Sequence, residues 1–173
     1  MNETTKIIDP FGITWLDYPD NESLAVIVYF LGCENNCVNC HNPTFKYPDN
    51  PKARNVTIKQ LYNDLFEFCK KHQTYKIIFT GGDPCSSYNI DFVRRFVSSY
   101  GNIFNICIYT GYDIAEVKKK EIKGFTYIKT GPYKEELKQE SLKTDDYIQL
   151  ASTNQEFYNK NYSLKSRNGR MNF

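Results

Sequence analysis

Three cysteines stand within eight residues, Cys33-Glu34-Asn35-Asn36-Cys37-Val38-Asn39-Cys40, at a C-x3-C-x2-C spacing. Thiolates are soft donors that favour zinc, copper(I) and iron–sulfur clusters. A structural zinc site closes a tetrahedron with four protein ligands, and this stretch supplies three. Zinc would need a fourth from Cys69, Cys85, His41 or His72. The usual zinc spacing, two separated Cys pairs or a Cys pair with a His pair, is absent. Three thiols on a cubane cluster would instead leave one iron without a protein ligand, free to take a substrate. On these residues alone a cluster, zinc and a chance grouping of free thiols stay open. Disulfides rank below them, because residues 1–6 carry no apolar export segment.

Two other short stretches have the composition of ligand turns. Thr80-Gly81-Gly82-Asp83-Pro84 follows one apolar run, and Thr110-Gly111-Tyr112-Asp113 follows another. Glycines at a strand end let a ligand approach the backbone. An ordinary strand-to-helix turn uses the same residues, so position decides. In α/β folds ligands gather at the carboxyl ends of strands, where both turns and the cysteine loop fall. Cys85 comes directly after the first turn. We read it as a non-ligand, since a fourth thiol would close the open iron.

The elements that must position these turns follow from periodicity. Apolar runs predict strands over 24–31, 75–79, 104–109 and 125–129. Thr57-Ile58-Lys59-Gln60 is a capping-box pattern. The helix after it places Ile58, Leu61, Tyr62, Leu65, Phe68 and Cys69 on one face and closes at His72, which suits its negative end. A second helix over 88–100 turns Ile90, Val93, Phe96 and Val97 inward. Asp113 and Glu116 frame a third over 114–120. Strand–helix alternation predicts right-handed parallel crossovers and a partial α/β barrel with the cysteine loop and glycine turns on one rim. Residues 1–23 predict a hairpin or edge with Trp15 in the core. Pro48, Asp49, Asn50 and Pro51 predict irregular chain over 44–56. Cys69 and Cys107 are expected to be buried. The tail 160–173, basic through Lys160, Lys165, Arg167 and Arg170, is expected to be solvated and frayed.

Length and composition set the class. At 173 residues with net charge +2, the chain predicts one domain, 1–173, too short for a full eight-unit barrel. Fourteen Tyr and twelve Phe supply a core. Charge so near neutral gives no expectation of a nucleic-acid partner. No apolar run reaches the length of a membrane span. Six cysteines without an export signal predict a reducing cytoplasm.

Taken together, C-x3-C-x2-C after the first apolar strand resembles the cluster motif of radical S-adenosylmethionine (SAM) enzymes. The continuation Cys40-His41-Asn42-Pro43 is similar to that of the small activases of glycyl radical enzymes, above all the activating protein of anaerobic ribonucleoside-triphosphate reductase. Thr80 to Pro84 resembles that superfamily's turn for the amino group of SAM, with Asp83 in the acidic place. Thr110 to Asp113 and Leu150 to Gln155 resemble other segments of the activases. The likeness covers most of 24–155. Relatives place Asp where Thr130 precedes Gly131-Pro132. They also carry a Gly-x-Gly-x-Arg-like segment where this chain has Asn21-Glu22-Ser23-Leu24-Ala25.

The resemblance implies an abbreviated, open parallel α/β barrel of the radical SAM type. It implies a 4Fe–4S cluster on Cys33, Cys37 and Cys40, and SAM held by Thr80, Gly81, Gly82, Asp83, Thr110, Gly111 and Asn39. The implied reaction is reductive cleavage of SAM, driven by an external one-electron reductant, to place a glycyl radical on a partner enzyme. The expected partner is the large subunit of anaerobic ribonucleotide reductase. Oligomeric state stays open, a homodimer included. Rival readings are an activase of pyruvate formate-lyase type, a small-molecule radical SAM enzyme, an electron-carrying iron–sulfur protein and a zinc module.

Overall fold

The protein is described here from a computed structural model covering residues 3–20, 24–140 and 147–172. Residues 21–23, the first three of the five that stand where relatives carry the Gly-x-Gly-x-Arg-like segment, lie outside the described residues.

The apolar run of the first predicted strand forms β3 (Ala25–Phe30), with five of its six residues buried. On one side it pairs in parallel with β5 (Lys76–Gly81), which pairs in parallel with β6 (Asn105–Tyr109) and that in turn with β7 (Tyr127–Thr130). These four strands are the predicted parallel core. The rest of the sheet is antiparallel. β1 (Thr4–Ile8) and β2 (Gly12–Thr14) do not pair with each other as a hairpin. Both lie along β3, end to end, through Ile7↔Phe30 and Ile13↔Val26. β4 (Ala53–Thr57) pairs with β1, and β9 (Glu156–Asn159) pairs with β7. The order is β4-β1-β3-β5-β6-β7-β9. Among the described residues the sheet is open, ending at β4 and β9 rather than closing.

Alternation along the strands divides the core. Val26, Val28, Phe30, Ile77, Phe79, Ile106, Ile108 and Ile128 face the helices α1 (Ile58–His72), α2 (Ile90–Tyr100) and α3 (Ile114–Lys119). Leu61, Leu65 and Cys69 meet them from α1, and Phe92, Val93, Phe96 and Val97 from α2. Each fully buried Phe contributes roughly 1.5–3 kcal/mol. Both predicted capping boxes form, Thr57 with Gln60 and Asp113 with Glu116.

The opposite, inner face carries Ala25, Ile78 and Cys107. It is covered by Tyr18, Leu150, Phe157 and Met171.

Three expectations are corrected. Trp15 is 63% exposed; the short strand before it is an edge, so the ring has no second layer to enter. Residues 44–56 are not wholly irregular. Pro43–Phe45 makes a 3-10 turn, and Ala53–Thr57 is drawn into the sheet by its register with β1. Arg54 fixes that strand to α1 through Asp64 at 2.7 Å. The tail is not frayed: β10 (Ser166–Arg167) and β11 (Arg170–Asn172) form a hairpin that pairs with β8 (Tyr147–Gln149). Met171 is buried with Phe157 and Leu150, and that apolar contact holds the polar strands. Phe92, to which the sequence reading gave no face, is also inward on α2. Among the described residues no helix is long and apolar enough to cross a membrane.

Candidate metal centre and cosubstrate cavity

The cysteine loop begins where β3 stops. Gly32 has φ +96, a value that L side chains rarely adopt, and it swings the chain off the sheet. The lobe from Cys33 to Thr44 is then closed at its base by two backbone bonds, Gly32 N–H to Phe45 O at 2.9 Å and Cys33 N–H to Lys46 O at 3.0 Å. Cys33 and Cys37 are half-buried and Cys40 is exposed. Burial pushes the Cys33 thiol above its ordinary range, so a bound metal's charge would supply the drive for its ionisation.

The Gly81-Gly82 turn presses against this base. A Cβ on Gly81, at φ +113, would lie 2.5 Å from Phe30 O. One on Gly82 would lie 2.6 Å from both Gly32 O and Phe45 O. Gly82 N–H donates to Phe30 O at 2.8 Å and Asp83 N–H to Gly32 O at 2.9 Å. The glycines therefore let two backbones meet, and the cysteine lobe sits directly on the turn.

Asp83 is buried, and protein donors surround its carboxylate. Oδ1 accepts from Cys85 N–H at 2.8 Å and from the Thr110 hydroxyl at 2.8 Å. Oδ2 accepts from Gly111 N–H at 2.9 Å and Asn35 Nδ2 at 3.1 Å. Burial raises its pKa, while the bonds from Gly111, Cys85 and Thr110 oppose the rise. Asp83 thus fastens three rim segments together: its own turn, the Thr110-Gly111 turn and the cysteine lobe. Its acceptor sites are spent on protein donors rather than turned wholly to a ligand.

Two more ties were not visible in the sequence. Glu34 accepts from the Ser87 hydroxyl and backbone N–H and from the Tyr112 hydroxyl, so the lobe is clamped to the chain before α2. These bonds hold the Glu34 carboxylate below the usual range. Asn89, at the N-cap position of α2, makes no cap bond. Its amide instead donates to Leu31 O at 2.9 Å and Asp83 O at 3.0 Å, and its oxygen accepts from Thr5 at 2.6 Å. A residue type that sequence reasoning assigns to capping is used here to lock the start of the lobe.

All of this borders one cavity of about 620 Å³, well within the range of small-molecule sites. Cys33, Cys37 and Cys40 line it, as do Thr80, Gly81, Gly82, Asp83, Thr110 and Gly111. Ile27, Ile78, Tyr29 and Tyr109 line it from the inner sheet face, and Ile148 to Ala151 and Gln155 complete the wall. Nine of the ten expected site residues are therefore brought together. The exception is Asn39, which is not among the lining residues. Its φ of +55 is left-handed, and its side chain is engaged with Glu135 instead. A second hollow of about 680 Å³ between α1 and α2 is lined by Lys59, Tyr62, Arg94 and Arg95, with no cysteine or strand end.

The other thiols sit apart from the cavity wall. Cys69, Cys85 and Cys107 are fully buried, and burial raises all three, Cys69 to about 12. Among the described residues no three Cys, His, Asp or Glu side chains converge tightly enough to hold one metal ion. A cubane distributes its thiolates over separate irons, so three soft donors spread along one cavity wall suit a cluster better than a lone ion. The donor set and the cavity thus fit a cluster with room beside it for a further ligand.

No curated protein matches the chain. Among solved structures, the crystal structure of QueE from Escherichia coli is similar, with a TM-score of 0.45 and 16% identity over 62% of this chain and 53% of that one. The chain therefore spans about half the length of that structure. A family model described as a 4Fe-4S single cluster domain matches residues 22–156, from just before β3 to the start of β9. The protein belongs to the 4Fe-4S single cluster domain family.

Proposed function

We propose that the protein is a radical SAM enzyme that activates a glycyl radical enzyme, with the large subunit of anaerobic ribonucleoside-triphosphate reductase as its partner. The observation that carries the reading is the meeting of three thiols and two strand-end turns around one cavity. Cys33, Cys37 and Cys40 would hold the 4Fe–4S cluster, with SAM as its further ligand. When bound and reduced by an external one-electron donor, the cluster and SAM would supply reductive cleavage of the sulfonium and removal of a hydrogen atom from a glycine of the partner.

The chain's own residues position and shield. Glu34 and Asn35 tether the lobe to Ser87, Tyr112 and Asp83, so its thiols keep a fixed relation to the strand ends. Gly81 and Gly82 allow the lobe to rest on the sheet without an intervening side chain. Ile27, Ile78 and the Tyr29 and Tyr109 rings form an apolar part of the cavity floor. Tyr109 is fixed there by donating to Asp17 O. The open sheet leaves the cavity reachable by a loop of another protein.

The test is anaerobic co-expression with a candidate reductase, followed by electron paramagnetic resonance. A glycyl radical signal that requires both this chain and SAM supports the reading. SAM cleavage without any such signal would move the function to a small-molecule radical SAM enzyme.

A further inference from the structure

The helix side of the sheet carries a hollow that the cosubstrate cavity does not account for. It lies between α1 and α2 and holds about 680 Å³. Both helices pack on the Val26, Val28 and Phe79 face of the sheet, while the cavity is floored by Ile27 and Ile78 from the other face. The sheet therefore separates the two. Lys59 from α1 and Arg94 and Arg95 from α2 line the hollow, with no Asp or Glu among its lining residues. Arg94 is shared with Asp91 at 3.0 Å, and an exposed pair of this kind is weak. Among the described residues Lys59 and Arg95 have no carboxylate partner, and the side chains of Asn63, Ser98 and Ser99, which also line the hollow, make no hydrogen bond. Tyr62 and Tyr100 brace it as a stacked pair, with 4.3 Å between ring centroids.

A cleft lined by one sign of charge focuses the field and concentrates the opposite ion. Donors also outweigh acceptors here, through the guanidinium groups, the ammonium, the Asn63 amide and the two serine hydroxyls. Guanidinium forks match phosphate oxygens two at a time. Several positive charges with little internal compensation suit a group of several negative charges better than a single carboxylate. Size decides between a small ligand and a protein. The stretch of α2 at the hollow, residues 94–100, is about 9 Å long, whereas a stable protein interface needs about 800 Å² on each side. A volume of about 680 Å³ instead falls within the span of small-molecule sites, about 300–1,000 Å³.

We infer that the hollow between α1 and α2 is a binding site for a polyphosphate group, free or carried by a nucleotide, with Lys59 and Arg95 as its principal anchors. The site lies across the sheet from the thiols and stands whether or not the chain cleaves SAM.

The experiment uses the full chain, anaerobically reconstituted with iron and sulfide, and titrates it calorimetrically with tripolyphosphate and with ATP, each in the presence and absence of SAM. One double variant carries Lys59→Gln with Arg95→Gln. A second, Lys70→Gln with Lys71→Gln, makes the same change of net charge at the far end of α1. All four side chains are exposed, so neither variant opens the core. Tripolyphosphate should bind wild type and the second variant alike, and the first variant at least about tenfold more weakly. SAM should leave these affinities unchanged, because its cavity is on the other face of the sheet. ATP bound more tightly than tripolyphosphate, and weakened by the same first variant, identifies a nucleotide as the ligand. Equal or weaker binding of ATP identifies the free polyphosphate, and either result supports the site. No binding of tripolyphosphate to wild type, no loss in the first variant, equal loss in both variants, or displacement of tripolyphosphate by SAM overturns the assignment.

Discussion

Substituting alanine at Gly82 probes how the cysteine lobe is seated. Gly82 has an ordinary backbone, so conformational strain is not the issue. The added Cβ would stand 2.6 Å from Gly32 O and 2.6 Å from Phe45 O. Those two residues are the hinge of the lobe, joined by the bond from Gly32 N–H to Phe45 O. Neither contact is a flexible side-chain tip, so the backbone itself must move. Overpacking of this kind costs about 1–3 kcal/mol, which for a chain of this size lowers Tm by about 3–10 °C. Gly81→Ala adds strain at φ +113 to a contact of 2.5 Å with Phe30 O inside the β3–β5 ladder. Its cost is about 3–5 kcal/mol. The two variants therefore rank, with Gly81→Ala the less stable. Thermal unfolding of the cluster-free chain by circular dichroism measures both. Iron retained after reconstitution measures whether the lobe still presents its thiols, and Gly82→Ala should lose iron out of proportion to its modest stability loss. Wild-type melting and full iron content in both variants would refute the seating described here.

Asn89→Ala removes the amide that serves Leu31 O, Asp83 O and Thr5, leaving buried groups unpaired; denaturant unfolding should show a loss of about 2–4 kcal/mol. Lys129→Met should instead stabilise the ligand-free chain below pH 8. The folded pKa, about 8, lies under the unfolded 10.5, so between them the unfolded chain binds the extra proton and wild-type stability rises with pH. The wild-type deficit, about 1–3 kcal/mol after solvent screening, is thus full below pH 8 and gone above 10.5, and urea melts of both proteins at pH 7 and 10 read it directly. Cys85→Ser should keep its cluster, since Cys85 is buried away from the cavity wall; iron and sulfide analysis after reconstitution decides, and loss of iron would place a fourth thiol at the metal.

What could be read from the sequence was local or periodic. The run 24–31 announced a buried central strand, and the glycine turns lay one residue past apolar runs, so their shared rim followed from parallel connectivity. The capping boxes were legible for the same reason, being contained in four residues. Features made by distant pairing were not. Ala53–Thr57 is a strand because β1 lies beside it, 45 to 53 positions earlier in register, and nothing in Ala53-Arg54-Asn55 signals that. The tail folds because Met171 finds Phe157 and Leu150, a contact invisible to composition. The partners of Asn89 and Glu34 include Thr5, Leu31 and Tyr112, far off along the chain, and only the folded chain shows where their polar atoms go. Lys129 did leave a trace. Ile128 faces the helices, so the next residue had to face inward, and a lysine at an inner barrel position is out of keeping with a plain core.

The central claim is that three thiols leave one corner of a cluster open to SAM. Incubating the reconstituted chain anaerobically with SAM and dithionite, and quantifying methionine and 5′-deoxyadenosine, tests it most directly. The account predicts the two products in equal amounts from wild type and from Cys85→Ser, and neither from Cys33→Ser, Cys37→Ser or Cys40→Ser. A wild-type chain that carries its full complement of iron and yields neither product would contradict it.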